Sequence, residues 1–187
     1  MLKLYDCTTA PSPRRTRMFL AEKGIEYENI QIDLRKAEQM SPEFRKINPG
    51  CTVPALVTED GVTLTENEGI AAYLEALYPE PPLLGTTPME KAMVASWQSR
   101  VILGGLMAAA EALRNGSPAM KDRALPGPKN IPQIPELAER GRMRLGWFMG
   151  TLNRRLGESE FLAGDFYSVA DISATILVDF AEWVKVF

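Results

Sequence analysis

The 187-residue sequence contains no histidine, and this one absence excludes several kinds of chemistry. Serine and cysteine nucleophiles are commonly activated by a neighbouring histidine, and histidine is a ligand in most catalytic zinc sites. We therefore expect neither a histidine-assisted triad nor a metal site. Any reaction must depend on hydroxyl, amide, carboxylate or backbone groups, or on a thiol that the substrate supplies.

Cysteine is almost as scarce. Cys7 and Cys51 are the only two, which is too few for the disulfide framework of a small secreted domain. A reducing compartment, the cytoplasm, is therefore expected. Free cysteine is often buried as a small apolar side chain, so Cys7, at the end of a predicted strand, is interpreted as structural.

The sequence also lacks an excess of positive charge and any long apolar run. Lys and Arg number 21 against 24 Asp and Glu, so the net charge is −3. Nucleic acid is not expected as a partner, because phosphate binding needs a basic surface. No apolar run approaches the roughly 18 residues of a membrane span, and the first residues lead directly into a strand. No membrane partner is expected.

Apolar residues make up 45% of the chain, enough for a packed core. The first 77 residues alternate strand and helix patterns. The predicted elements are strands at 2–6 and 27–33, a helix at 14–23, a helix that begins at Ser41-Pro42, two short strands, and a helix at 66–77. This order predicts an α/β domain.

Prolines crowd residues 79–88, a composition that cannot continue a helix and is typical of a semi-rigid linker. The rest of the chain has helical patterns at 89–114, at 135–156 and from 168 onward. We therefore predict three segments: an α/β domain at 1–78, a linker at 79–88 and an all-α domain at 89–187.

The last predicted helix has a clear start and no clear end. Ser168-x-x-Asp171 is a capping box, which favours helix initiation at that point. Asp179–Phe187 continues an amphipathic helical pattern without the glycine or cap that usually ends a helix. We expect the chain to be truncated or to lack a C-terminal tail.

A proline stands before a short apolar strand at Val53-Pro54-Ala55-Leu56. Proline donates no ladder hydrogen bond, so an edge or special role is expected. Only about 5–6% of X-Pro bonds in folded proteins are cis, so the residues alone leave both isomers open. A cis bond would turn the Val53 backbone outward, toward a partner that is not protein. A helix with Glu66-Asn67 at its start follows two strands later.

Four segments, in this order, resemble those of the cytosolic glutathione transferases, and the match covers nearly the whole chain. They are Leu4-Tyr5-Asp6 with Ser12–Gly24, Pro42-Glu-Phe…Asn48-Pro-Gly-Cys-Thr-Val-Pro-Ala-Leu56, Thr65-Glu66-Asn67 with Ile70–Leu74, and Gly164–Asp171. Within the family, Tyr5-Asp6 and Lys36–Phe44 are most similar to an atypical fungal and bacterial class. That class lacks the usual Ser, Tyr or Cys thiol activator.

The resemblance implies a thioredoxin-like N-terminal domain, an all-helical C-terminal domain and glutathione as co-substrate. It implies that Val53-Pro54 is cis and that the Val53 backbone pairs with the cysteinyl residue of glutathione. Glu66 would accept the γ-glutamyl ammonium, and Asn67, where the family usually has serine, would help hold the γ-glutamyl carboxylate. Gln39 and Thr52 would lie near the glycyl end, where Lys36 is an alternative.

The thiol site is where the sequence departs from the family, because Ala10 stands where other members have the activating side chain. Alanine donates no hydrogen bond, so Thr9 and Ser12 are the candidate catalytic residues. The atypical class is described as using a water held by Ser and His from the helical domain. Without histidine, that role would fall to Arg114, Asn115 or Ser117.

We therefore expect a glutathione transferase that lowers the pKa of the glutathione thiol and conjugates it to small apolar electrophiles. The resemblance also implies detoxification as the role and a homodimer as the assembly. Two other functions stay open: a glutathione-dependent disulfide reductase or peroxidase, and a non-catalytic glutathione-binding protein that keeps the fold.

Overall fold

A computed structural model of the chain describes residues 1–184, which cluster into two compact units. The first comprises Met1–Pro81 with the short segment Pro126–Lys129, and the second comprises Pro82–Leu125 and the described chain from Asn130. The last three residues of the predicted C-terminal helix, 185–187, lie outside the described residues. No helix among those described is long and apolar enough to cross a membrane.

The first unit contains a four-stranded mixed sheet in the order β2-β1-β3-β4. Strand β1 pairs in parallel with β2 and antiparallel with β3, which pairs antiparallel with β4. The elements are β1 (Lys3–Asp6), α1 (Pro11–Glu22), β2 (Glu28–Gln31), α2 (Pro42–Ile47), β3 (Ala55–Val57), β4 (Thr63–Thr65) and α3 (Asn67–Leu77). The α/β character predicted for this region is confirmed.

The core of this unit lies where α1 and α3 contact each other and the central strands. Its fully buried apolar side chains come from the sheet and both helices: Leu4, Phe19, Leu20, Leu56, Ile70 and Leu74. Strand β2 is shorter than the predicted 27–33, because it pairs only with β1 and that ladder extends from Glu28 to Gln31. Helix α1 starts three residues before the predicted Arg14, because proline is well tolerated in the first turn of a helix.

The second unit is all helical, as predicted. Its main elements are α4 (Pro88–Arg100), a π-helical segment (Val101–Leu106), α5 (Met107–Gly116), α6 (Pro135–Glu158) and α7 (Val169–Trp183). The capping box at Ser168 and Asp171 is confirmed, and a second one, not predicted, joins Thr87 to Glu90 at the start of α4.

The π-helical segment interrupts what the sequence predicts as one helix over 89–114. Gly104 and Gly105 lie within it, and a Cβ on Gly105 would come 2.2 Å from the Leu177 side chain. A Cβ on Gly104 would come 2.6 Å from the Phe148 ring. The two glycines therefore let side chains of α6 and α7 approach the backbone closely. Helical periodicity alone contains no sign of this interruption.

Candidate functional site

The strand register gathers the predicted site residues at one end of the sheet. Tyr5, near the end of β1, pairs with Ala55, the first residue of β3, and Ala55 pairs with Thr65, the last of β4. The residues after β1, before β3 and after β4 therefore lie at the same end of the sheet. Thr9, Val53 and Glu66 lie in these three segments.

A buried carboxylate anchors the start of the β1–α1 loop. Asp6 is fully buried and forms an ion pair with Arg17 of α1. It also accepts hydrogen bonds from Asn29 Nδ2 at 3.2 Å and from Gln31 Nε2 at 2.7 Å. Because the Asp6 carboxylate has an ion pair and two hydrogen bonds, these contacts offset the free-energy cost of burying its charge. Sequence reasoning quoted Asp6 only as part of a motif.

The loop itself, Cys7–Ala10, is held in a tight turn. The Ala10 N–H donates to the Cys7 carbonyl at 2.9 Å. Gln31 Oε1 accepts from the Thr8 N–H at 3.0 Å and from the Thr8 hydroxyl at 2.7 Å, and Arg17 donates to the Thr8 carbonyl at 3.0 Å. A buried acid, an arginine and a glutamine thus fix the backbone that leads into α1.

Both predicted catalytic hydroxyls lie at this loop and are exposed to solvent. Thr9 Oγ1 is 3.6 Å from the buried Cys7 Sγ. Ser12 is in the first turn of α1, which has no side-chain cap because its N-cap residue is Ala10. Pro11 and Pro13 have no N–H, so among the first three helical positions only Ser12 offers a backbone donor.

The segment before β3 contains backbone groups without a hydrogen-bond partner in the described chain. The Val53–Pro54 peptide bond is cis. Val53 is half-buried, and within residues 1–184 its backbone N–H and C=O form no hydrogen bond. Unpaired backbone groups of this kind, just before a strand, can pair with an added extended peptide.

Asn48, which sequence reasoning treated only as the end of α2, organises the loop before Val53. Its buried amide donates to the Thr52 carbonyl at 2.8 Å and to Thr52 Oγ1 at 3.0 Å, and its Oδ1 accepts from the Gly50 N–H at 2.8 Å. The Asn48-Pro-Gly sequence was the available signal, because asparagine commonly bonds the backbone of its own turn.

Glu66 stands in a left-handed backbone conformation, with φ of 63°, between β4 and α3. A non-glycine residue in this region costs about 1–3 kcal/mol, and such residues cluster at functional sites. The Glu66 side chain is exposed and does not cap α3. An exposed carboxylate therefore lies on the residue directly before α3.

Asn67 begins α3, but its amide faces the protein rather than solvent. It is buried, accepts from Thr16 Oγ1 at 2.8 Å and donates to Ser12 Oγ at 2.9 Å. A second link between the same helices is the ion pair of Arg15 with Glu68. Sequence reasoning expected the Asn67 amide to contact a ligand, and the structure commits both of its amide atoms to α1.

Gln39 and Lys36 lie beyond β2, whose end is next to that of β1. Gln39 is buried in a 3₁₀ turn, Glu38–Met40, and within the described chain its Oε1 has no hydrogen-bond partner. Lys36 is exposed, with its Nζ 3.7 Å from Asp33 Oδ2. Backbone hydrogen bonding from Arg35 holds the pKa of the Asp33 carboxyl below its ordinary value.

In the helical unit, Arg114, Asn115 and Ser117 lie at the end of α5, and the side chains of Arg114 and Asn115 form hydrogen bonds within the protein. Arg114 Nη1 donates to the Arg123 carbonyl at 2.9 Å, and burial followed by the Arg123 charge lowers the pKa of Arg114. Asn115 Oδ1 accepts from the Ile134 N–H at 3.0 Å. These contacts of Arg114 and Asn115 hold the loop that follows α5.

Comparison with known proteins gives a consistent result. The family model "Glutathione S-transferase, N-terminal domain" matches residues 9–77. The chain is 32% identical over 185 residues to glutathione S-transferase 2 of Saccharomyces cerevisiae, covering 97% of this chain and 77% of the relative.

Two solved structures are similar over almost the whole chain. A glutathione S-transferase domain-containing protein of Marinobacter aquaeolei VT8 superposes with a TM-score of 0.90 at 32% identity, covering 99% of this chain and 89% of the other. Gtt2 of Saccharomyces cerevisiae gives 0.89 at 31% identity, covering 99% and 88%.

Proposed function

The chain belongs to the cytosolic glutathione transferase family, with a thioredoxin-like N-terminal domain and a helical C-terminal domain, and from this premise we propose how it acts. It binds glutathione at this end of the sheet of the first unit, lowers the pKa of the glutathione thiol and conjugates the sulfur to small apolar electrophiles. The observation that carries the proposal is the strand register, which gathers Val53, Glu66 and the start of α1 at one end of the sheet.

The backbone of glutathione is proposed to pair with Val53. The ligand is a short extended peptide, and the open N–H and C=O of Val53 can take it as an added strand. The buried Pro54 follows Val53 in the chain, and the turn organised by Asn48 precedes it, so both neighbours support the open backbone groups. Backbone pairing suits a ligand whose central residue must present its side chain, the thiol, without steric obstruction.

The γ-glutamyl end is a zwitterion, and Glu66 with the start of α3 offers the complementary groups. The exposed Glu66 carboxylate would accept the ammonium, while the N–H groups of the first turn of α3 would bind the carboxylate. The Glu66 side chain is exposed and does not cap α3, which supports a binding role. At the glycyl end, Gln39, Thr52 and Lys36 remain the proposed contacts.

Thiol activation without a side chain at position 10 is energetically feasible. Lowering a thiol pKa from about 8.5 by two units needs about 2.7 kcal/mol. A helix N-terminus supplies about 0.3–1 kcal/mol, or up to about 2 when partly buried. One charge-assisted hydrogen bond adds about 1.5–3 kcal/mol. The Ser12 N–H and the Thr9 hydroxyl are the proposed donors.

In the reaction, the thiol proton passes to solvent and the thiolate sulfur forms a bond to an electrophilic carbon. A leaving group then departs with its bonding electrons, or the electrons stay on the acceptor in an addition and are protonated there. Detoxification in the cytoplasm is the role that fits such a reaction.

A homodimer is proposed on the family resemblance. Met89 and Met93, one turn apart on α4, are exposed apolar side chains of the kind that an interface covers. Light scattering after size exclusion should give about twice the chain mass of 20.7 kDa. A mass of one chain at micromolar concentration would exclude the dimer.

Binding and turnover test the proposal directly. Isothermal titration should detect glutathione at millimolar concentration or below, and an aryl halide assay should detect conjugation. Thiolate absorbance of the complex against pH should report a thiol pKa below that of free glutathione. The matched control is Glu66→Gln, which keeps the side-chain shape and removes the charge for the ammonium. Absence of glutathione binding at millimolar concentration would overturn the proposal.

The same assays separate the other two functions. A non-catalytic binding protein would bind glutathione and leave its thiol pKa unshifted. A disulfide reductase or peroxidase would turn over a disulfide or peroxide substrate faster than an aryl halide. Both cysteines of the chain are buried, so an exposed protein thiol does not support the redox reaction.

A further inference from the structure

We propose that the Ser12 hydroxyl binds the γ-glutamyl carboxylate of glutathione, and that Asn67 and Thr16 position it for this task. The inference rests on the proposed function, because it assigns a residue within that glutathione site. It also removes the Ser12 side chain from the thiol, where the sequence pattern suggested it, and leaves only its backbone N–H there.

The argument starts from the buried hydroxyl of Thr16. This side chain is 3% exposed, and Asn67 Oδ1, at 2.8 Å, is the only hydrogen-bond partner that its Oγ1 has in the described chain. A buried hydroxyl hydrogen left without an acceptor is costly. Asn67 Oδ1 must therefore be the atom that faces Thr16, because an amide nitrogen there would leave the Thr16 hydrogen unused.

The orientation of the Asn67 amide then decides what Ser12 can do. With Oδ1 toward Thr16, the amide nitrogen is the atom 2.9 Å from Ser12 Oγ, and it must donate. Ser12 accepts this hydrogen bond, so its own hydrogen remains available for another acceptor. Ser12 is exposed and, among the residues described, its hydroxyl has no acceptor. The chain of bonds therefore presents an oriented donor to solvent.

The position of this donor matches the carboxylate subsite. Asn67 is the first residue of α3, and Ser12 is in direct contact with it, so the hydroxyl lies beside the helix start proposed for the γ-glutamyl carboxylate. The Asn67 side chain is buried, and its amide oxygen and nitrogen contact Thr16 and Ser12. A hydroxyl from α1 thus adds a donor beside the backbone N–H groups of α3.

The first experiment uses S-methylglutathione, which keeps the γ-glutamyl group but has no ionisable thiol. We expect Ser12→Ala to weaken its binding about tenfold in isothermal titration, because a hydrogen bond to a carboxylate is lost. Ser12→Thr, which keeps the hydroxyl, should restore most of the affinity. Equal affinity of Ser12→Ala and wild type for S-methylglutathione would overturn the inference.

Kinetics distinguish the two roles of Ser12. With Ser12→Ala, KM for glutathione should rise about tenfold, while kcat and the pH profile of kcat stay close to wild type. A thiol-donating side chain would instead lower kcat and move the profile to higher pH with KM little changed, which would also overturn the inference. If wild type itself binds neither glutathione nor S-methylglutathione, the proposed function fails and not merely this assignment.

Thr16→Val tests the positioning step, because valine preserves the shape of the buried side chain and removes the hydroxyl. The amide of Asn67 loses the contact that orients it, so KM should rise by a few fold without a shift in the pH profile. Thr16→Ser keeps the donor and should restore KM, whereas an effect of packing alone would not be rescued by this smaller residue. Unchanged KM in Thr16→Val would remove Thr16 from the assignment.

Discussion

Lys23 is a fully buried cation whose partners come from the end of α3 and the residues after it. Its ammonium forms an ion pair with Glu75 at 2.5 Å and donates to the carbonyl oxygens of Tyr78 at 2.7 Å and Pro81 at 2.6 Å. A cation is favoured at a helix C-terminus, where carbonyl groups lack helical partners. This one side chain therefore joins the end of α1 to α3 and to the residues that follow it.

Replacing Lys23 with methionine should lower the free energy of unfolding by about 3–5 kcal/mol, because one partner of a buried ion pair is removed. Urea denaturation measures the change. The control is Lys3→Met, whose ion pair with Glu28 is half exposed and should contribute less than about 1 kcal/mol. Equal effects of the two substitutions would contradict the role given to Lys23.

Glu66 combines backbone strain with a proposed contact, so stability and binding should respond in opposite directions. Glycine accommodates a φ of 63° without penalty. Glu66→Gly should keep or raise the free energy of unfolding, by up to about 1 kcal/mol, while weakening glutathione binding. Denaturation and titration on the same sample measure both. A variant that is strongly destabilised would show that Glu66 is there for folding.

At the scale of elements, α5 and α6 pack so closely that one glycine decides their distance. A Cβ on Gly141 of α6 would come 2.7 Å from the Ala112 backbone nitrogen and 2.8 Å from the Ala108 carbonyl oxygen. Backbone atoms cannot move aside as a flexible side chain can. Gly150, on the same helix, would meet no atom within 4 Å in the described chain.

These two glycines form a matched pair. Gly141→Ala should lower the free energy of unfolding by about 1–3 kcal/mol through overpacking. Gly150→Ala should raise it by about 0.5–1 kcal/mol, because alanine has the higher helix propensity. Thermal or urea denaturation of both variants gives the signs. Two changes of the same sign would contradict the close approach of α5 and α6.

The stability contributed by the start of α4 should depend on pH through the Glu90 carboxylate. Its carboxylate accepts from the Thr86 hydroxyl and from the backbone N–H of Thr86 and Thr87, and these hydrogen bonds lower the pKa of Glu90. The folded protein binds this proton less readily than the unfolded chain. The stability contributed is therefore full above the ordinary carboxyl pKa and is lost as the pH falls through the lowered value.

The difference in melting temperature between wild type and Glu90→Gln measures this contribution. At pH 7 wild type should melt at the higher temperature, and the gap should close as the pH falls below the range of carboxyl titration. Asp60→Asn, on the exposed turn between β3 and β4, serves as a control for general charge effects. A gap that does not change with pH would rule out the carboxylate as its source.

At the scale of the whole molecule, the proposed ligand is also a stabiliser. A ligand that binds only the folded chain raises its stability by about 2.7 kcal/mol when present at 100 times its dissociation constant. Glutathione should therefore raise the melting temperature progressively with concentration. Glu66→Gln should show a smaller rise at the same concentrations, since its proposed ammonium contact is lost. An identical rise in both proteins would place the ligand elsewhere.

Much of the architecture was predictable because it depends on residues that are neighbours in the chain. Ser41 before Pro42 indicates a helix start, and in the structure the Ser41 hydroxyl accepts from the Phe44 N–H. The Ser168 and Asp171 capping box was found in the same way. Strand and helix periodicities separated the α/β region from the helical one. The π-helical segment was missed because the helical periodicity of the sequence contains no sign of it.

The sequence by itself determined the two-part α/β and helical architecture and the helix starts, because local hydrogen bonds and side-chain periodicity suffice for these. The order of four motifs along the chain indicated the family by resemblance. Only the tertiary structure decided how the site is built. Thr16 and Asn67 are 51 residues apart, and Asp6 meets Asn29 and Gln31 across 23 and 25. The direction of a hydrogen bond depends on which groups folding brings together. For that reason the sequence pattern suggested the Ser12 side chain as a donor to the thiol, whereas the contact of Ser12 with Asn67 favours the γ-glutamyl end of glutathione.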